Sequence, residues 1–168
     1  IIPYYKVDAT LLDRCLESLI QLDAIELDWE AHVIDDGTSD STADEVVRQK
    51  GCDRIIYHRQ EHAGLGETRN KGITLAQKEY IHFLDADDYL YYDACLQLFK
   101  ILESEYPELL TFNYHKEYSE ALIQKKKEKG SILWRGSGVD FMQTHNLHGS
   151  ACCYFIRKTS LDNIRFSD

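Results

Sequence analysis

The chain has 168 residues, enough for one domain with a substantial core, and its 43% hydrophobic and 29% charged residues are typical of globular proteins. Its formal net charge of −10 disfavours nucleic acid as a partner, because proteins that hold a phosphate backbone are usually basic. No apolar run reaches the roughly 18 residues of a transmembrane helix, so we expect no membrane-spanning segment in this chain.

Strand and helix patterns alternate along the chain. Thr10 to Asp13 has the spacing of a capping box at the start of the first helix, and Ser41 and Gly51 mark the ends of the second. This order predicts an α/β fold, with a mostly parallel sheet covered by helices on both faces. The predicted strands are residues 1–2, 31–34, 54–58, 80–84 and 109–114, and the predicted helices are residues 11–20, 41–50, 67–77 and 93–106.

The pattern weakens after about residue 115. Residues 131–134 and 151–156 are candidate strands, and residues 138–144 are a candidate short helix. The lysine-rich run at residues 125–129 indicates a solvated loop or strand edge, with a site for an anionic acceptor as the alternative.

Polar residues collect where the predicted strands end. Ligands of mostly parallel sheets bind beyond the carboxyl ends of the strands, which meet at one edge. We therefore expect four segments to share one site: residues 3–5, 35–37, 61–69 and 85–88.

Three carboxylates follow the strand at residues 80–84. Asp85 and Asp87 form a candidate site for Mg²⁺ or Mn²⁺, which prefer carboxylate oxygens. In an extended segment these two side chains point the same way and Asp88 points away, because side chains alternate. An acidic turn that caps the following helix is an equally good interpretation of these residues alone.

A second acidic pair, Asp35 and Asp36, ends the strand at residues 31–34, and Gly37 allows a tight turn after it. A carboxylate here can accept a hydrogen bond from a nucleobase N–H or a ribose hydroxyl. The alternative is helix N-capping by Asp40 or Ser41.

The segment from Gly64 to Asn70 lacks the third glycine of a dinucleotide-binding fingerprint, whose place is taken by Arg69. We expect Gly64 and Gly66 to form a mobile loop. Arg69 is then the functional candidate, because a guanidinium binds phosphate or supports a carboxylate.

The histidines and cysteines carry weaker signals. His145 and His148 have helical spacing but no nearby acidic partner, so a metal pair is a weak hypothesis, and residues 148–150 are a candidate acceptor-contacting loop. The five cysteines include no C-x-x-C pair, which argues against a disulfide framework or a zinc ribbon and fits a reducing compartment. We expect a cytoplasmic protein, with an association of the full-length protein with the inner face of the membrane left open.

Four motifs, in this order and spacing, resemble family 2 glycosyltransferases with the GT-A fold: residues 2–5, 33–40, 64–73 and 83–88. The match is strong to about residue 100 and weaker from Gly149 to Phe166. The resemblance implies an inverting transfer from a nucleotide-activated sugar, commonly UDP-linked, with Mn²⁺ or Mg²⁺ as cofactor. The implied acceptor is a carbohydrate or a lipid-linked molecule.

The resemblance also implies roles for single residues. The first motif lies against the base, and Asp36, with Asp35 behind it, reads that base. Arg69 lies near the base and phosphates, while Asp85 and Asp87 contact the ribose and the metal, and Asp88 is an auxiliary. The implied nucleotide-sugar site is therefore Pro3, Tyr5, Asp35, Asp36, Arg69, Asp85 and Asp87.

Some features depart from the family pattern. Lys6 stands where many relatives have asparagine, and residues 66–68 replace the usual small residues before Arg69. In the family, the catalytic carboxylate generally lies beyond a segment whose first part residues 166–168 resemble. We therefore expect the base after Asp168, with Asp168 itself as a weak substitute. We expect one domain fragment over residues 1–168, cut at both ends, with a nucleotide-sugar-binding half at 1–114 and the start of an acceptor half at 115–168.

Three other interpretations compete. A haloacid-dehalogenase-type phosphohydrolase also has an Asp-x-Asp after an apolar strand, but Tyr89 stands where it needs threonine or valine, and its motif lies on the first strand. A phospho-receiver signalling domain gathers acids around Mg²⁺ but has no use for the Arg69 segment. A fragment that binds donor and metal without transferring sugar is the third.

Overall fold

The computed structural model describes residues 1–25, 27–113, 135–144 and 150–167. The strands are β1 (Ile2–Tyr4), β2 (Ala31–Asp35), β3 (Ile55–Arg59), β4 (Tyr80–His82), β5 (Leu109–Thr111) and β6 (Tyr154–Arg157). The α-helices are α1 (Ala9–Ile20), α2 (Thr42–Lys50), α3 (Leu65–Leu75), α4 (Tyr92–Glu105) and α5 (Gly138–Thr144). Short 3₁₀ helices span Gln21–Ile25, Ala151–Cys153 and Lys158–Leu161.

The strands form two three-stranded sheets that meet edge to edge. β1, β2 and β3 are parallel, whereas β6 runs antiparallel between β4 and β5. Ile1 N donates to His82 O at 2.8 Å and Leu84 N donates to Ile1 O at 2.9 Å, the pattern of a parallel bridge. The strand order is therefore β3-β2-β1-β4-β6-β5, and the prediction of a mostly parallel sheet is confirmed, with β6 as an antiparallel insertion that it did not include.

Helices cover both faces of this sheet, as predicted. Leu16 of α1, Val46 of α2 and Cys95 of α4 share one buried cluster with residues of β1 and β2. Ile73 of α3 packs with Phe83 and other apolar residues in a second cluster. Burial of these two apolar faces is the main source of the fold's stability.

Two predicted helix starts were wrong in detail. Asp8, not Thr10, caps α1, because the Asp8 carboxylate accepts a hydrogen bond from Thr10 N at 2.8 Å. The expected glycine loop is instead the first turn of α3, which begins directly after Gly64 at φ 91°. Thr68 holds this turn, since both its N–H and its hydroxyl donate to Gly64 O.

Several predictions lie outside the described residues: the lysine run at 125–129, the strand at 131–134, His145, His148 and Asp168. The short helix predicted at 138–144 is confirmed as α5. In the part of the chain that the structure describes, no helix is both long and apolar enough to cross a bilayer.

Candidate functional site

The carboxyl ends of four strands meet at one edge, as the strand order requires. Tyr4 pairs with Asp35 in the parallel register, and Asp36 N donates to Tyr4 O at 2.9 Å. Residues 60–64 follow β3 beside Asp36, and Asp85 comes just after the hydrogen bond from Leu84 N to Ile1 O, which precedes β1. All four predicted segments therefore border the same edge.

Asp35 is buried behind this edge, with 1% of its surface exposed. Its carboxylate accepts hydrogen bonds from Thr38 N and from the Tyr57 hydroxyl, each at 2.8 Å. Burial, together with the bond to Asp35, raises the pKa of Tyr57 to about 12. Asp35 thus supports the turn after β2 from within.

Asp36 holds the segment that follows β3. Its carboxylate accepts from Gln60 Nε2 at 2.7 Å, and from Ala63 N and Gly64 N, each at 2.9 Å. The His62 ring lies 2.8 Å from the same carboxylate. Burial alone would raise the pKa of Asp36, but these bonds outweigh it and lower the pKa below its usual value. Asp36 is therefore an ionised anchor for residues 60–64.

Tyr5 and His62 form an aromatic stack at the mouth of this edge. Their ring centroids are 4.4 Å apart with planes 19° apart, and Tyr5 is 40% exposed, whereas Pro3 is buried in β1. Gly37 makes the stack possible, because it has φ +80° and a Cβ there would lie 2.8 Å from His62 N. Sequence reasoning missed His62, whose only signal was its place in the segment after β3.

The acidic segment after β4 is a turn and not an extended stretch, since Asp88 N donates to Asp85 O at 2.9 Å. The turn brings together one ligand atom each from Asp85, Asp88 and Cys152, all within 4.8 Å of one another. Asp87 is exposed beside this group. The prediction that Asp88 points away from Asp85 was therefore wrong, because alternation of side chains holds only in extended backbone.

The electrostatics of this turn favour a cation. Asp88 is exposed, but partial desolvation of its carboxylate, and then the charges of Asp87 and Asp85, raise its pKa, and Arg14 offsets only part of the rise. Burial and the contact with Asp85 raise the pKa of the Cys152 thiol to about 12. Two carboxylates suit a hard divalent ion, whereas a thiol suits softer metals and makes Mg²⁺ the poorer fit of the two predicted ions.

Arg69 borders the acidic turn. One of its terminal nitrogens lies 3.4 Å from Asp85 Oδ1, and its guanidinium carbon lies 5.9 Å from the Phe83 ring centroid and 5.3 Å from that of Phe166. Its Nε is buried and has no hydrogen-bond partner among the residues described. Arg69 thus retains donor capacity next to a carboxylate.

The structure brings the predicted site residues into two groups along the edge. Tyr5 and Asp36 meet through His62, and Arg69 meets Asp85, while Asp35 and Pro3 lie behind them. Sequence reasoning did not predict Cys152 as part of the site. Cys152 lies just before β6, and no local pattern of the sequence indicates that β6 inserts antiparallel between β4 and β5.

A family model described as glycosyl transferase family 2 matches residues 1–165. Glycosyltransferase GlyA of Streptococcus pneumoniae is 31% identical over 116 residues, which cover 68% of this chain and 16% of GlyA. The chain belongs to glycosyl transferase family 2. It spans about a third or less of the length of the first curated relatives it matches.

Solved structures support the fold. S. aureus TarS in complex with UDP-GlcNAc has a TM-score of 0.68 at 18% identity, over 96% of this chain and 45% of TarS. The mannosyltransferase PcManGT of Pyrobaculum calidifontis, in complex with GDP-Man and Mn²⁺, has a TM-score of 0.57 at 20% identity, over 68% of this chain and 34% of that one. At these identities the likeness shows the GT-A fold alone. Family membership leaves no place for the dehalogenase-type and receiver alternatives.

Proposed function

We propose that this chain is the donor-binding part of a glycosyltransferase that moves a sugar from a UDP-linked donor to an acceptor hydroxyl with inversion. One observation carries the proposal. The acidic turn at Asp85 and Asp88 lies beside the cationic Arg69, at the same strand edge as the Tyr5–His62 stack. Such an edge offers aromatic surface for a base and mixed charge for a diphosphate.

The base binds at the stack in this proposal, with Pro3 behind it and Tyr5 and His62 at the surface. Asp36 contributes by holding residues 60–64, because both of its carboxylate oxygens already accept hydrogen bonds from them. Asp35 supports Asp36 through the turn after β2. The complex of TarS with UDP-GlcNAc supports a UDP-sugar as donor.

The diphosphate binds at the acidic turn. Asp85 and Asp88 would hold a divalent cation, Mn²⁺ or Mg²⁺, with Asp87 exposed nearby. A bound cation supplies charge neutralisation for the nucleoside diphosphate as the bond to the sugar breaks. Arg69 would donate to the phosphate oxygens through the terminal N–H groups of its guanidinium, and its contact with Asp85 orients that carboxylate. The Mn²⁺ complex of PcManGT supports a metal.

The acceptor side is proposed on resemblance. Residues 1–114 form the donor half and residues 115–168 begin the acceptor half, which would receive a carbohydrate or lipid-linked hydroxyl. A general base must take the proton of that hydroxyl, and the resemblance places the base after Phe166. All five cysteines are free, which supports a cytoplasmic location.

Turnover by the full-length protein tests this function. We expect UDP release from at least one member of a panel of UDP-sugars with Mn²⁺, and loss of release in excess EDTA. Asp88→Asn should lower the rate by about tenfold or more, since it replaces one of the two carboxylates with a neutral amide, a weaker ligand for a divalent cation. The exposed Asp53→Asn should match the wild type. Nucleotide release that is indifferent to EDTA, or absent with every sugar, would overturn the proposal.

A further inference from the structure

Asn70 makes an unusual long-range contact. Its Nδ2 donates to Phe166 O at 3.0 Å, and its Oδ1 accepts from Phe166 N at 2.9 Å. One side-chain amide therefore satisfies both backbone groups of a residue far away in the chain, and Asn70 is only 8% exposed. Such two-way pairing fixes both the distance and the orientation of the Phe166 backbone.

Helical propensity does not account for asparagine at this position. Asn70 lies in the middle of α3, where asparagine is less favourable than alanine, leucine or lysine. A buried polar side chain in a helix is stabilised only when it finds partners, and the Phe166 backbone provides them. The contact with Phe166 is thus the physical reason for this residue type.

Phe166 is in turn tied to the acidic turn. Its ring packs edge-on against Phe83, with centroids 5.2 Å apart, and Phe83 lies on the segment that leads into Asp85. The guanidinium that approaches Asp85, that of Arg69, also lies over the Phe166 ring. One helix turn therefore binds the acidic turn through Arg69 and the Phe166 backbone through Asn70.

We propose that Asn70 is a positioning residue: it holds the chain at Phe166 beside the acidic turn, so that the residues after Phe166 start next to the donor diphosphate. This inference rests on the proposed function. Reaction rates fall steeply when a reacting group is displaced by about 1 Å, up to roughly 100-fold, whereas donor binding uses other side chains. Loss of Asn70 should therefore slow sugar transfer and spare donor affinity.

The test uses the full-length protein and the UDP-sugar that the wild type turns over fastest. Asn70→Ala should lower kcat for UDP release by about 10- to 100-fold, while the Kd for UDP with Mn²⁺ stays within about twofold. Hydrogen exchange at the Phe166 amide should speed up in the same variant. Asn70→Asp keeps an acceptor for Phe166 N but sets a carboxylate against Phe166 O, so its kcat should be intermediate.

Thr74→Ala is the matched control. It removes a 3.1 Å hydrogen bond from the Thr74 hydroxyl to Asn70 O on the same helix and leaves the Asn70 side chain in place. An Asn70→Ala kcat equal to that of Thr74→Ala would overturn the inference, as would a rise in Kd that matches the loss of kcat/KM. If Asn70→Ala does not fold, Asn70→Asp decides by the same two criteria. A wild type that releases no UDP refutes the proposed function instead.

Discussion

The Asp36→Asn substitution keeps the shape of a buried side chain, but it replaces one acceptor oxygen with an NH₂ group and removes the negative charge. Ala63 N donates to Oδ1 of Asp36, and Gly64 N donates to Oδ2. Asparagine has one acceptor oxygen, so one of these backbone N–H groups must face an NH₂ group. The substitution therefore leaves a donor unsatisfied at a position where Asp36 is 4% exposed.

The expected loss of stability follows from these contacts. A buried unsatisfied donor costs about 1–3 kcal/mol, and the remaining bonds, including that from Gln60, lose their charge assistance. We expect the free energy of unfolding to fall by about 2–4 kcal/mol in total. If the asparagine amide is flipped, the unsatisfied N–H is that of the other residue of the pair Ala63 and Gly64, so the cost remains.

Urea unfolding followed by circular dichroism at pH 7 measures this difference. The control is Asp53→Asn, an exposed substitution that should change stability by less than about 0.5 kcal/mol. A loss for Asp36→Asn no larger than that of the control would refute the view that Asp36 anchors residues 60–64.

Two further predictions concern the backbone and pH. Gly37→Ala should destabilise the fold more than Gly51→Ala in the same urea assay. Both glycines have positive φ, at +80° and +57°, so both substitutions strain the backbone. A Cβ added at Gly37 would also lie 2.8 Å from His62 N, whereas a Cβ added at Gly51 would meet nothing within 4 Å. Equal losses would contradict the close approach of His62. Burial lowers the pKa of His82 from 6.5 to about 4, so the folded state binds its proton later than the unfolded state as pH falls. The contribution of neutral His82 to the free energy of unfolding is thus present above pH 6.5, and stability should decline by roughly 1–2 kcal/mol between pH 7 and 5. The decline should be smaller in His82→Phe, which keeps the aromatic packing on Phe155. An unchanged decline in that variant would assign the effect to other groups.

Local patterns predicted the parts of the fold that depend on local chemistry. Helix α2 runs between Ser41 and Gly51 as expected, because Gly51 adopts the left-handed conformation that ends a helix. The order of strands and helices placed Asp36, Arg69 and Asp85 at one edge for the same reason: parallel strands share their carboxyl ends.

The details of the site depend on contacts that no local pattern encodes. The backbone hydrogen bond from Asp88 N to Asp85 O makes a turn where alternation predicts an extended segment. This turn brings the Asp88 carboxylate close to that of Asp85. Cys152 reaches that group through the antiparallel insertion of β6, and His62 reaches Tyr5 only because Gly37 leaves room. Tertiary packing decides each of these contacts.

Calorimetric titration of UDP into this chain, with Mn²⁺ and again with EDTA, tests the central claim most directly. We expect saturable binding with Mn²⁺ and at least about tenfold weaker binding in EDTA. Asp88→Asn should show a similar loss with Mn²⁺, while Asp53→Asn should bind like the wild type. Equal affinity for UDP with and without the cation, or no binding under either condition, would contradict a cation-dependent donor site at the acidic turn.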